Sequence, residues 1–272
     1  LRLGKVTHVI QAGDRYFTSN LAGSMREQLN VPVSAMLIQE GMAVAEGGSR
    51  RINKVQVTGV DSHFDHMAGM DGYFGSLSGD SIIISVNLAN RLNLGKGDEV
   101  LLRIEKASLI PLNAPFVSDA GGTVSLRAYI REVAGEGQLG NFNLKVSQTA
   151  PFNIFISLSR LEELMEFDNR INVILVDAGN QLDTDQIETS LRNQFTGPDA
   201  GLKMQYLEQS GLFEVASSRV FIDEILADHL HTAHDSAQGI ITYFVNSISR
   251  DTLTTPYSFV STLPPGELRP GE

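Results

Sequence analysis

Three histidines, His229, His231 and His234, fall within six residues beside Asp228 and Asp235. On a continuous helix His231 and His234 share a face, as two ligands of one metal ion would. A second group, Asp61, His63, Asp65 and His66, has the side chains to bind zinc or to divide acid and base roles. Each group also has a plainer reading. The histidines lie where a helical pattern is failing, and imidazoles at a helix end suit its dipole. Asp61 follows a strand-like run and can cap the turn that leaves it, with Phe64 as the packing residue. The glycine-rich stretches Gly69–Asp80 and Leu92–Glu99 lack the full spacing of a phosphate-binding loop, and Lys96 precedes a strand rather than a helix. There is no G-x-S-x-G elbow. Asp14 and Arg15 make at most an exposed pair worth ~0–1 kcal/mol.

The elements that would position these residues can be read from periodicity. Gly4–Gln11 alternates as a half-buried strand does. Phe17, Leu21, Met25 and Leu29 form one stripe of a helix ending near Pro32. Val33–Ala45 and Arg51–Val60 read as strands joined by a turn at Glu46–Ser49. Later, Ile171–Asp177 is a buried-strand run, and Asp183 with Gln186 has capping-box spacing. The helix so started carries Ile187, Leu191 and Phe195, stops at Gly197–Pro198, and Leu202–Leu207 returns as a strand. Two βα units of this kind can close a split βαβ, ferredoxin-like sandwich. No other internal repeat is read.

Between the two units, about 100 residues exceed any ordinary connection and imply an insertion. Ser81–Val86, Val100–Lys106, Val124–Val133 and Phe152–Ile156 are strand-like within it. Asn87–Leu92 and Ser159–Phe167 are helical, the latter with a Ser159/Glu162 capping box, while 113–122 and 135–140 read as loops. In Asn87–Glu105 the residue types suit a helix capped by Asn87, positive-φ exits at Gly95 and Gly97, and a strand carrying Val100, Leu102 and Ile104. After Gln209 the pattern weakens. Val220–Leu230 reads as a helix packing Phe221, Ile225 and Leu226, and Gly239–Ile248 and Tyr257–Leu263 as edge or linker strands.

The order V-x-G-V-D-x-x-F at 57–64, then N-x-L-A-x-x-L-x-L-x-x-G-D-x-V-x-L from Asn87, resembles the extracytoplasmic domain of MacB/FtsX-like ABC transporter permeases. Ala12–Ala22, Ser217–Ile222 and Thr255–Leu263 fit long members of that family and extend the resemblance over nearly the whole chain. It implies an α+β fold: a porter-like split βαβ (ferredoxin-like) subdomain with an inserted β-rich subdomain. The segments would be 1–60 and 168–210 for the porter-like part, 61–167 for the insertion, and 211–272 for a C-terminal segment leading toward further extracytoplasmic or membrane sequence.

Composition agrees with a soluble domain and narrows its partners. The chain has 272 residues, 42% of them hydrophobic and 19% charged, enough for one core or two. Twenty-one Lys and Arg against 32 Asp and Glu give a net charge of −11, which argues against a nucleic-acid surface. Cysteine is absent, which suits an oxidising compartment, and tryptophan is absent too. No apolar run approaches the ~20 residues of a membrane span. No charged-then-apolar leader opens the sequence, so it reads as cytosolic or as a soluble segment of a larger chain. The resemblance favours the second, with a transmembrane helix on the N-terminal side and the tail Pro264–Glu272 short of the native domain's end.

The resemblance further implies a non-enzymatic domain of an inner (cytoplasmic) membrane protein, without cofactor or metal. ATP binding and hydrolysis would belong to an ABC ATPase subunit or domain. The other partners implied are a second permease copy and a periplasmic adaptor or cell-envelope protein. The mechanism implied is mechanotransmission, in which rigid subdomains change pose and squeeze, release or hand over a ligand. Exposed loops on a rigid scaffold commonly carry such contacts. Asp61, His63, Tyr73, Phe74, Phe116 and Leu139 are the expected contact residues, and a partly exposed apolar cleft is worth seeking. The other readings are a metal-dependent hydrolase using the His/Asp clusters and a free-standing periplasmic lipoprotein chaperone, which would need a lipid-sized apolar cavity.

Overall fold

A computed structural model describes residues 2–13, 15–106, 122–145, 147, 149–217 and 222–262. The expected contact residue Phe116, the loop at 113–121, Asp14, Phe221 and the tail at 263–272 lie outside the described residues. The chain divides into two compact units, Leu1–Lys203 and Met204–Glu272.

The first unit runs β1 (His8–Gln11), β2 (Phe17–Thr18), α1 (Ser19–Leu29), β3 (Val33–Ala45), β4 (Arg50–Val60), α2 (Phe64–Ala68), β5 (Ser81–Ser85) and α3 (Val86–Leu92). It continues through β6 (Glu99–Glu105), β7 (Thr123–Ala134), β8 (Asn153–Ser157), α4 (Leu158–Met165), β9 (Arg170–Ile171), β10 (Val173–Val176) and α5 (Thr184–Gln194). The fold class is α+β with strands dominant. Eight strands form one sheet in the order β1-β10-β3-β4-β8-β5-β7-β6, and β6 pairs back onto β3.

That last pairing closes a ring. On the edge of β3 opposite β4, residues Val33–Met36 pair with β10, and Gly41–Val44 pair with β6. The first half of β3 therefore belongs to an open flange with β10 and β1, and the second half to a six-stranded barrel, β3-β4-β8-β5-β7-β6. Gly41 sits where the strands meet. A Cβ there would lie 2.9 Å from the Arg103 carbonyl oxygen and 3.2 Å from Val57, so only glycine admits the approach.

The barrel also carries a repeat that residue identity conceals. β4 is parallel to β8 and β5 parallel to β7, while β3–β4, β6–β7, β5–β8 and β3–β6 are antiparallel. Exchanging β3-β4-β5-α3 with β6-β7-β8-α4 leaves this pattern unchanged. Both arms end alike. SIIIS enters a helix closed by Asn93 at φ 56°, and NIFIS enters a helix closed by Glu166 at φ 56°. The sequence shows no repeat because the arms share hydrogen-bond pairing, and their loops differ in length and composition.

Period-2 alternation places two cores on the two faces of the sheet. Ile82, Ile84, Ile154, Ile156, Ile174 and Val176 join the core shared with α1, α3, α4 and α5. Their strand neighbours Ile83, Phe155, Val173 and Leu175 join a second core with Phe64, Met67, Phe74, Leu139 and Phe142. Burial on both faces explains why these strands read as unbroken apolar runs.

Several expectations meet the coordinates directly. The stripe on α1 buries Leu21 and Met25. The capping box forms: Gln186 N–H donates to Asp183 Oδ1 (2.9 Å), and Asp183 N–H to Gln186 Oε1 (3.0 Å). Others need correction. The cap of α3 is Ser85, and Asn87 instead donates to the Pro151 carbonyl (3.0 Å). Its left-handed exit is Asn93, followed by Gly97 at φ 91°, whereas Gly95 is not at positive φ and bonds the Asp98 carboxylate. The α4 box is absent: Ser157 is the cap, Ser159 pairs with Ser157, and Glu162 turns elsewhere. Phe195 leaves the helix stripe, stands 42% exposed, and meets Phe17 edge-on.

The return strand after α5 exists, but it departs from a sandwich. Among the described residues, β11 (Leu202–Leu207) pairs with β12 (Leu212–Ser217) in a separate two-stranded sheet. Strand β10 is instead inserted antiparallel between β1 and β3, which α1 connects. The second unit continues with α6 (Glu224–Ala233) and the hairpin β13 (Thr242–Arg250) to β14 (Leu253–Ser261). None of its described residues is buried. Ile225, expected to pack inward, is 73% exposed.

Candidate functional site

The most densely bonded polar position of the expected surface is Asp61, just past the end of β4. Its Oδ1 accepts the Ser34 hydroxyl (2.7 Å) and the His63 backbone N–H (3.1 Å), and its Oδ2 accepts the Ala35 N–H (3.0 Å). Arg26 of α1 and the His63 ring approach the same Oδ2 at 3.7 and 3.3 Å. One carboxylate thus joins β4, the start of β3 and α1. Phe64 follows with its N–H on the Asp61 carbonyl (3.2 Å) and its ring among Phe74, Phe142 and Phe155. The capping role of Asp61 and the packing role of Phe64 are as the sequence implied.

Gly59, two residues earlier, explains the glycine of the motif. A Cβ there would meet Leu161 at 3.0 Å and the Leu158 Cα at 3.2 Å, so α4 can rest on β4 only because no side chain intervenes.

The other members of the Asp/His group diverge. Asp65 is buried and accepts the N–H groups of Phe74 (2.6 Å) and Gly75 (2.9 Å), which shapes the loop after α2. His66 Nε2 lies 2.9 Å from Asp177 Oδ2, at the end of β10. His63 and His66 are each 43% exposed but serve different carboxylates. His229 and His231 on α6 and His234 just past its end are exposed. Among the described residues, no group of three or more His, Asp or Glu side chains is gathered where a metal ion could be held.

The expected contact set is only partly a surface. Asp61 and His63 reach solvent, and Tyr73 is half-buried, its hydroxyl pKa raised by burial and by the nearby Glu132 charge. Phe74 and Leu139 are 1% and 3% exposed. They belong to the second core with Phe64 rather than to the exposed surface on which the sequence had placed them. An open groove of about 400 Å³ lies where the hairpins of the two barrel arms meet. Polar side chains, among them Glu40, Asn53, Arg103 and Glu105, line it together with Gly41 and Met42.

Motif reading gave Glu162 only a capping role and passed over Asp199. Burial pushes the Glu162 carboxyl up to about 7, helped by the Asp168 charge and opposed by a hydrogen bond from the Arg170 backbone. Burial also opposes ionisation of Asp199, but hydrogen bonds from Thr18 and Thr196 outweigh it and hold its carboxyl below the usual range. Those bonds are direct: Thr18 N–H and hydroxyl reach Oδ1 at 2.9 and 2.6 Å, and Thr196 N–H and hydroxyl reach Oδ2 at 2.9 and 2.7 Å. The T-G-P-D spacing of 196–199 was a signal for such a turn.

The first unit is thus a barrel closed onto a flange, with Gly59, Asp61 and Phe64 at its joints. No protein-family model matches the chain, and no curated protein matches it. Among solved structures it is similar to the periplasmic region of MacB from Actinobacillus actinomycetemcomitans, at 11% identity over 85% of this chain and 92% of that one, with a TM-score of 0.45. It is also similar to the extracellular domain of the noncanonic ABC-type transporter YknZ from Gram-positive bacteria, at 13% identity over 74% and 90%, with a TM-score of 0.44. These are extracytoplasmic domains of the type that the sequence motifs resemble.

Proposed function

We propose that the chain is the extracytoplasmic domain of an ABC transporter permease of MacB/FtsX-like type. In this reading it carries no chemistry of its own and transmits ATP-driven transmembrane motion to a substrate or partner outside the cytoplasmic membrane. The observation that carries the reading is where the motif falls. Gly59, Asp61 and Phe64 form the joint between β4, β3, α1 and α4, so the shared residues are those a rigid lever needs. A ring of six paired strands resists shear, which is the property mechanotransmission requires.

The ATPase acts through the membrane helices of the full permease, a second permease copy pairs with the first, and an adaptor or cell-envelope protein is the outer partner. In this reading the porter-like segments 1–60 and 168–210 hold the flange strands and the whole β3–β4 hairpin, and 61–167 holds the barrel strands β5 to β8. The test begins with the native gene product in its own cells. A product much larger than 29.6 kDa, retained in the cytoplasmic membrane after carbonate washing and cross-linked differently with and without ATP, supports the reading. A freely soluble product of about this mass overturns it.

A further inference from the structure

We propose that the exit of the first unit is a proton-operated latch, in which the buried carboxyl of Glu162 and the four-bonded carboxylate of Asp199 together fix the turns 166–170 and 196–201 on the start of α1. This goes beyond the transporter reading and does not depend on it. Glu162 lies on the last turn of α4. Its carboxyl accepts the Arg170 backbone N–H, Asp168 faces it, and its Oε1 is buried without a hydrogen-bond partner. A proton on this carboxyl removes a buried charge that Asp168 repels; losing the proton leaves that charge with one backbone donor.

The surrounding charges are otherwise engaged. On α4, Arg160 is held by Asp80 (2.8 Å) and Glu163 (2.6 Å). Glu166 pairs with Lys106, just past β6, at 2.6 Å, and Glu40 of β3 with Lys54 of β4 at 3.1 Å. Arg50 of β4 donates to the Leu92 carbonyl, β8 carries no charged residue, and the Arg170 guanidinium donates to the Pro198 carbonyl at 2.7 Å. Tyr16, whose ring packs on Phe167, receives the Gln39 amide.

The turn after α4 carries two residues in the left-handed region. Glu166 and Asn169 both hold positive φ, 56° and 51°, a conformation unfavourable for residues with a Cβ. It stays closed through contacts to the start of α1. Ser19 N–H donates to the Asn169 carbonyl (3.0 Å), and Arg170 and Ile171 pair with Thr18 and Phe17. Thr18 is also the residue that Asp199 grips. The same knot therefore holds 196–201, the turn just before the second unit begins at Met204.

The two carboxyls set opposite limits. Glu162 is raised in the fold, so its contribution falls as pH climbs from the ordinary carboxylate value toward about 7. Asp199 is lowered, so its contribution is present above the ordinary value and is lost as pH falls through the depressed one. The latch is tightest near the ordinary carboxylate value, loosens as pH climbs toward about 7, and levels off above it.

The test is amide exchange on the whole chain, read as protection relative to intrinsic rates at Ser19, Arg170 and Ile171 between pH 5 and 8.5. Wild type should lose about tenfold protection across this range; Glu162→Gln should hold it flat, and Asp199→Asn should lower it at every pH. An unchanged alkaline loss in Glu162→Gln overturns the proposal. Should Asp199→Asn fail to fold, carbon-13 titration of the Glu162 carboxyl in wild type decides. A midpoint near 7 upholds the latch, and one in the ordinary carboxylate range removes it.

Discussion

In β5 of the first unit, Ile82, Ile83 and Ile84 are each no more than 1% exposed, because consecutive side chains of one strand enter two different cores. In the β13–β14 hairpin of the second unit, Leu253, Tyr257 and Phe259 share one face and stand 74–76% exposed. Phe244 meets Tyr257 and Phe259 at 6.0 and 5.4 Å, but no described residue of that unit is buried. The strand propensities are equally strong in both places. What differs is closure: a ring of strands with helices on it leaves no apolar face over, whereas an isolated two-stranded hairpin always does. Stability should therefore reside in the first unit, and each substitution below strains or sharpens that contrast.

The largest loss is expected from Phe64→Ala. Its ring is fully buried among Phe74, Phe142 and Phe155, and removing it should cost about 3–5 kcal/mol. Denaturant melts should show a lower midpoint; a shift below about 1 kcal/mol would mean that the second core is not what holds the barrel. Gly59→Val should follow, at about 1–3 kcal/mol, because its side chain must displace Leu158 and Leu161 of α4. Wild-type stability in that variant would sink the account of why the motif requires glycine.

How much of this was legible beforehand depended on range. Local signals were sound: the Asp183–Gln186 box, the β3 and β4 runs, and the pairing of Asp61 as cap with Phe64 as anchor all depend on residues near one another in sequence. Closure of β3 onto β6 was not legible, since it joins Gly41 to Ile104 across a long insertion. The twofold repeat escaped for a similar reason, because it resides in pairing directions that Ile, Val and Phe satisfy interchangeably. Glu162 was misread as part of a capping box because its spacing from Ser159 fits one. Its real environment is made by Asp168 and Arg170 beyond the helix. Phe74 and Leu139 were placed on a surface by their loop context, but aromatic and leucine side chains in glycine-rich loops also reach inward when a core lies beneath.

The pH dependence of the first unit gives a smaller and more selective effect. With Glu162 raised from 4.5 to about 7 in the fold, stability should decline between those values and level off above, by about 2 kcal/mol once partial solvent exposure is allowed for. Thermal melts at pH 5 and 8 should differ for wild type, and Glu162→Gln should narrow the gap. An equal gap in both proteins would assign the decline to another group. The effect belongs to the first unit because only there does a carboxyl oxygen among the described residues sit buried without a partner.

The smallest effect sharpens the contrast from the other side. Phe259→Ser removes a large aromatic from β14, a change that in a core would cost several kcal/mol. Phe259 is 76% exposed, and its ring contact is with Phe244 on the opposite strand at 5.4 Å. Serine leaves the ladder intact, so the global unfolding free energy should stay within about 0.5 kcal/mol of wild type. The measurement is a denaturant melt followed by far-ultraviolet circular dichroism, with Phe64→Ala alongside. A loss for Phe259→Ser approaching that of Phe64→Ala would show that the hairpin face is buried in solution, and the difference between the two units would then be one of partner rather than of closure.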